Sequence, residues 1–243
     1  MLDAFLKDNG QFSNYGVEHT IAFTLCIAAI WLMLYLAKYK WNDDQKYRYM
    51  VYISVFAAST QLFKVFYRVY NGTFNPTEDF PLHLCNLMVI LLPFTMIFKW
   101  RKLWGITFFW IMIGCAQSIF TPTLTESMPH YEAVRYWVIH SAIILGALYG
   151  IYAFGWTITW KDTIRSILGM NILAAILFPI NLVLHSNYMY LNAKPPGTTF
   201  YDLLGPWPGY IIWLEVLVNG LFTLVLIPFY WNDIKRYLAR VVA

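Results

Sequence analysis

The sequence predicts an all-α membrane protein, a polytopic bundle of seven transmembrane helices, on three observations. Of its 243 residues, 59% are hydrophobic and only 12% are charged, about half the ~25% of an ordinary soluble domain. The apolar residues gather into runs of about 20, the length that crosses ~30 Å of hydrocarbon as a helix. Lys and Arg concentrate in alternate connections between those runs. The 19% aromatic content excludes a disordered chain. The charges are too few to cover a soluble domain, and the short connections leave no room for one. Residues 1–243 therefore read as a single membrane domain.

The runs are 18–38, 46–70, 81–98, 103–121, 131–154, 164–185 and 207–231. A helix is the open-chain way to cross, because each backbone polar group is then satisfied within its own segment. The first run is not a cleaved signal peptide: Asp3, Lys7 and Asp8 precede it, and Lys38-Tyr39-Lys40 follows in place of a small-residue cleavage site. The second carries one cation, Lys64. The third starts at Pro81 and is the shortest. The fifth follows Pro129-His130. The longest connection, Asn187 to Pro206, is rich in turn formers and predicts an ordered outer cap before the seventh.

Orientation follows from the cations. Lys38, Lys40, Lys46, Arg48, Lys99, Arg101, Lys102, Lys161, Arg165, Lys235, Arg236 and Arg240 belong to one side, against Lys7, Arg68, Arg135 and Lys194 on the other. The N-terminus is predicted outside and the C-terminus inside the cell membrane. The +4 net charge then points to anionic lipid at the inner face, not to nucleic acid. Cys26, Cys85 and Cys115 all fall inside spans, so no structural disulfide is expected.

Polar side chains inside spans need a partner or a purpose. Counted from the inner end of each helix at 1.5 Å per residue, Lys64, Cys85, Gln117, His140, Asn181 and Glu215 all come to ~21–24 Å. They form one polar layer in the outer half, with Asn171 as an exception deeper in. Glu18, His19, Arg68, His83, His130 and His185 stand above it, at the mouth of the cavity this layering suggests. The bland alternative is a set of hydrogen bonds gluing helices together.

Cys85 and His140 are the pair suited to covalent chemistry. A His can take the thiol proton, and its cation then stabilises the thiolate. Lys64, Asn86 or Gln117 can donate to a developing oxyanion; Asn181 lies in the same layer, and Glu215 can orient His140 or neutralise Lys64. Cys115 lies at nearly the same depth, so depth alone leaves the choice of thiol open. A metal held by His83 and Cys85 with His130, His140 or His185 is the competing reading, but residues two apart on a helix point ~200° apart. No metal and no cofactor are expected.

Pro81-Leu82-His83-Leu84-Cys85-Asn86, Thr121-Pro122 with Pro129-His130, His140, Asn187-Tyr188-Met189-Tyr190-Leu191 with Lys194-Pro195, and Leu204-Gly205-Pro206-Trp207-Pro208 together resemble the YwaF-type family of bacterial integral membrane proteins. The resemblance runs from about residue 15 to 230. That family is distantly similar to eukaryotic transmembrane acyltransferases that move acyl chains onto ether phospholipids with a Cys on the third span and a His on the fifth. The resemblance implies Cys85 and His140 for those roles.

The resulting expectation is a lipid-modifying acyltransferase or ester hydrolase of the plasma membrane, with membrane lipids as partners and no protein partner. The alternative is a small-solute transporter or ligand-binding membrane protein using the same polar cavity, although no inverted repeat is evident. A receptor-like subunit is a third reading, and the short loops give it little docking surface.

Overall fold

The structure is a computed structural model that describes residues 5–7, 9–195 and 200–242, with the backbone alone at 200 and 232–242. The Pro196-Gly197 part of the expected outer cap lies outside the described residues. The helices are α1 (Val17–Tyr39), α2 (Asp43–Tyr70), α3 (Leu84–Ile97), α4 (Arg101–Phe109), α5 (Tyr131–Tyr152), α6 (Trp160–Leu184) and α7 (Gly209–Val242). No strand occurs among the described residues. Six helical segments are long and apolar enough to cross a membrane: α1, α2, Arg101–Ile119, α5, α6 and Gly209–Trp231. The remaining one, α3, has 14 residues and reaches only ~21 Å.

Local chemistry sets the helix starts. Asn42 and Gln45 bond reciprocally, Oδ1 to the N–H of Gln45 at 2.8 Å and Oε1 to the N–H of Asn42 at 3.1 Å, a capping box that opens α2. Thr159 and Asp162 do the same for α6. The expected span at 81–98 begins later than Pro81, because Pro81 and Leu82 are in a turn and His83 is the extended N-cap of α3. The expected 103–121 helix is not one regular helix. After Phe109 it widens to a π-helix over Trp110–Cys115 and tightens to a 3₁₀ turn over Ala116–Ile119. At the C-terminus no separate tail begins at Trp231; the helix continues to Val242.

The core sits around α5, the most enclosed of the spans, which packs on α1, α2, α3 and α4. Gly146 and Gly150, one turn apart, make this possible. Trp104 lies over them and its Nε1–H donates to the carbonyls of Gly146 and Ala147 at 3.2 and 3.1 Å. A Cβ on Gly150 would stand 2.2 Å from the Trp104 ring, and one on Gly146 2.5 Å from Leu92. Small residues at such a crossing let backbones approach where lipid supplies no hydrophobic drive. By contrast α6 and α7 turn apolar side chains such as Ile176, Val183, Ile212 and Val216 outward, as a hydrocarbon solvent requires.

At the α4–α6 end, Arg101 makes a bidentate pair with the buried Asp162, at 2.9 and 2.7 Å, and also donates to the Thr157 carbonyl. Trp110 and Ser166 exchange bonds with the opposite backbone, at 3.0 Å each. At the other end, the segment before α1 straps across the α4–α5 connection. The N–H groups of Asn9 and Gly10 donate to Glu126 at 2.6 and 2.9 Å and hold its carboxyl below the usual glutamate range. Glu18 and His19, expected at a cavity mouth, lie in the first turn of α1 and extend this contact. Glu18 accepts from the Met128 N–H at 2.7 Å and His19 Nε2 donates to the Ile119 carbonyl at 3.0 Å.

Gly150→Ala is therefore expected to destabilise the protein by about 1–3 kcal/mol, the usual range for overpacking, because the Trp104 side chain has no free space to yield into. Gly220→Ala, whose added Cβ meets nothing within 4 Å, should leave the melting temperature in detergent within a degree or two of the parent or slightly above it. Equal melting temperatures for the two variants would contradict the packing described.

Candidate functional site

Cys85 is the second residue of α3, inside the first turn, where N–H groups have no carbonyl four residues back. Its side chain is half-buried. The sulfur lies 4.0 Å from the Ser118 Oγ, and Cys115 and His140 are its other polar neighbours. Cys115 is wholly buried. Depth leaves the two thiols equivalent; exposure separates them, because Cys85 alone is reachable from outside the core.

His140 lies nine residues into α5 and is buried. Its Nδ1 donates to the Tyr136 carbonyl at 2.8 Å, so Nε2 carries the lone pair of the neutral ring. The Tyr136 ring packs on it with centroids 4.2 Å apart, and the Tyr136 hydroxyl donates to the Ser118 carbonyl at 2.9 Å. One tyrosine thus orients the imidazole and fixes the turn that carries Ser118.

A charge cluster lies toward the N-terminal end of α5 from this pair. Arg135 is buried. It holds Glu132 through two nitrogens at 2.9 and 2.6 Å and donates to Gln61 at 2.5 Å. Lys64 stands 3.5 Å from Asp79 and 3.6 Å from Glu132. Arg68 stands 3.3 Å from Asp79 and 3.9 Å from Glu132. Asp79 is buried and also accepts from the Asn75 N–H at 2.8 Å. Nothing in the sequence singles out Asp79 or Ser118; the one signal for Glu132 is its i, i+3 spacing to Arg135.

Other expected members have different partners. Glu215 neither orients His140 nor neutralises Lys64. It accepts from Asn171 and Asn219 at 2.8 Å each, so the supposedly deeper Asn171 shares its level. Asn181 is a loop tie: it bonds both the N–H and the carbonyl of Tyr188, at 2.8 and 2.9 Å, and accepts from Ser186 at 2.8 Å. Gln117 is exposed. Asn86, next to Cys85, is half-buried and makes no side-chain hydrogen bond among the described residues.

The histidines of the expected mouth also separate. His83 caps α3 and packs against Tyr188 and Tyr190, with centroids at 5.2 and 5.6 Å. His130 caps α5, its Nδ1 accepting from the Glu132 N–H at 3.3 Å. His185 ends α6 in the left-handed region and is exposed. The late start of α3 removes the geometric objection to His83 and Cys85 sharing an ion. Among the described residues, however, no three His, Cys, Asp or Glu side chains form a group that holds a metal.

Apolar helices of crossing length, packed through glycines and enclosing ionised groups, define a multi-span integral membrane protein. The sequence profile of the TMEM164 family matches residues 14–226, and the chain belongs to that family. Neither a curated protein nor a solved structure matches it.

The contrast in thiol exposure has a direct readout. A small membrane-permeant alkylating agent should label Cys85 first in the folded protein, with Cys26 and Cys115 labelled only after denaturation. Cys85→Ser should abolish the fast phase when labelling is followed by intact mass. A fast phase that persists in that variant would show that the exposed thiol lies elsewhere.

Proposed function

We propose that this chain is a lipid-modifying enzyme, an acyltransferase or ester hydrolase, in which Cys85 is the nucleophile and His140 the general base and acid. The observation that supports it most is the pairing of a half-buried thiol at a helix N-terminus with a buried imidazole whose Nδ1 is already engaged, so that Nε2 is the nitrogen free to take a proton. The similarity to YwaF-type proteins and to Cys/His acyltransferases falls on the same two residues.

In the first half-reaction His140 Nε2 takes the Cys85 thiol proton, and the sulfur attacks the carbonyl carbon of a lipid ester. The oxyanion is met by the open N–H groups of the first turn of α3 and by the Asn86 amide. Collapse breaks the acyl C–O bond, and His140 returns its proton to the leaving alkoxide, which departs as a lysolipid alcohol. An acceptor hydroxyl, from a second lysolipid, an alcohol or water, then loses its proton to His140 and attacks the thioester. The Cys85 thiolate leaves and is reprotonated. Ser118 and Cys115 serve as hydrogen-bond partners of the sulfur.

In this reading seven helices cross the plasma membrane as one domain, with the N-terminus outside and the C-terminus inside. The alternation of cations along the chain supports that orientation. The Cys85 end of α3 then faces the outer leaflet, and the partners are membrane lipids. A second reading, a small-solute transporter or ligand-binding protein, draws on the Lys64–Arg68–Asp79–Glu132 cluster in place of the thiol.

Reconstituted protein given acyl-labelled phospholipid should form a thioester adduct on Cys85. Cys85→Ala should lose the adduct and turnover altogether. His140→Gln should lower turnover by about 10²–10⁴-fold, the usual contribution of a general base. Full turnover in both variants would end the covalent mechanism, and solute counterflow in proteoliposomes that survives Cys85→Ser would favour transport.

A further inference from the structure

We propose that Lys64 and Arg68 form the binding site for the phosphodiester of a membrane phospholipid, one acyl chain of which lies in a groove between residues 80–82 and the outer end of α6. The proposal rests on the acyltransferase or hydrolase reading only in taking that lipid as the substrate.

The charges in this region do not balance. Three cations, Lys64, Arg68 and Arg135, share two carboxylates, Asp79 and Glu132. The cluster therefore carries one uncompensated positive charge. Glu78, the acid next along the loop, is exposed and forms no ion pair among the described residues. Lys64 and Glu132 keep only 15% and 18% of their side-chain surface, and Asp79 1%. An unbalanced charge so enclosed is costly. A phosphodiester carries one negative charge, which makes the ensemble neutral.

Geometry selects which cations are available. Arg135 is buried and closes short bonds to Glu132 and Gln61, so a ligand does not reach it. Lys64 and Arg68 close no such bonds: their distances of 3.3–3.9 Å to the carboxylates exceed the ~2.7–2.9 Å of a closed charge-assisted bond. An ammonium offers three N–H donors and a guanidinium five, so both keep donors for phosphate oxygens. Arg68 retains 35% of its side-chain surface, which gives a ligand access.

The chain continues directly from the charge cluster into the groove. Asp79 is followed by Phe80 and Leu82, which with Pro179, Ile180, Val183 and Leu184 line a cavity of about 490 Å³. That size suits a small ligand, and every lining side chain is apolar. A free phosphate has no use for such a wall. A phospholipid uses both parts: its phosphate at Lys64 and Arg68, and a chain across Phe80, Leu82 and Val183. Leu82 is also three residues from Cys85, which brings the ester region of such a lipid toward the thiol.

The test is lipid retention by the whole protein, read by native mass spectrometry and by the thermal shift on adding phosphatidylcholine. Arg68→Gln and Lys64→Gln should each weaken retention roughly tenfold or more, Lys64→Arg should keep it, and Val183→Trp should reduce it by filling the groove. Dioleoylglycerol, with chains but no phosphate, and glycerophosphocholine, with phosphate but no chains, should both bind at least tenfold more weakly than phosphatidylcholine. Cys85→Ala should retain lipid like the parent, which separates this site from the chemistry. Retention unchanged in a folded Arg68→Gln variant, or dioleoylglycerol binding as well as phosphatidylcholine, would overturn the proposal. Glycerophosphocholine binding equally well would assign the site to soluble phosphoesters instead. A parent that retains lipid but never forms a thioester would fail the mechanism and leave this site standing.

Discussion

The grip of Arg135 on Glu132, with Gln61 as its second partner, is the contact on which the Cys85 end of the bundle is organised. A buried guanidinium needs both charge and hydrogen bonds answered, and these residues answer it by joining α5 to α2. Glu132 then faces Lys64 and Arg68, and those two hold Asp79. Asp79 anchors the connection after α2, which delivers His83 and Cys85 to the first turn of α3. The thiol thus sits where it does because of an ion pair that takes no part in the chemistry proposed for it.

The other end of the bundle uses a different solution. There Arg101 grips Asp162 through two short bonds, Thr159 and Arg165 share the same carboxylate, and Gly146 and Gly150 let Trp104 lie against α5. The two ends differ in spacing: the bonds between Arg101 and Asp162 are short and tie α4 to α6, whereas Lys64 and Arg68 stand 3.3–3.9 Å from their carboxylates.

Much of the fold is legible in the sequence, because crossing length and apolar composition are imposed by the solvent and survive most details of packing. Of the candidate site, depth groups Cys85, Cys115 and His140 without choosing between the thiols. The rest depends on helix phase and on connections. Depth along a straight α-helix puts Gln117 in the polar layer, but the π-helix at Trp110–Cys115 holds an extra residue, which rotates the next turn by ~100°. Ser118 therefore reaches Cys85 and Gln117 points away. Asn181 has the depth expected of it, yet depth cannot reveal that a loop folds back to use it. Asp79 escapes a span-by-span reading because it lies outside every span, and Glu132 because its neighbour Arg135 counts there only as a topological charge.

The roof of the site has a mechanical consequence. The Tyr188 hydroxyl accepts from the Phe80 N–H and donates to the Pro76 carbonyl, while its backbone is held by Asn181. Phe80 follows Asp79 directly, so the connections after α2 and after α6 are coupled in series, like links of one chain. The 185–192 segment is thereby tied through a single phenol to the residues on either side of Asp79, so the two connections must shift together.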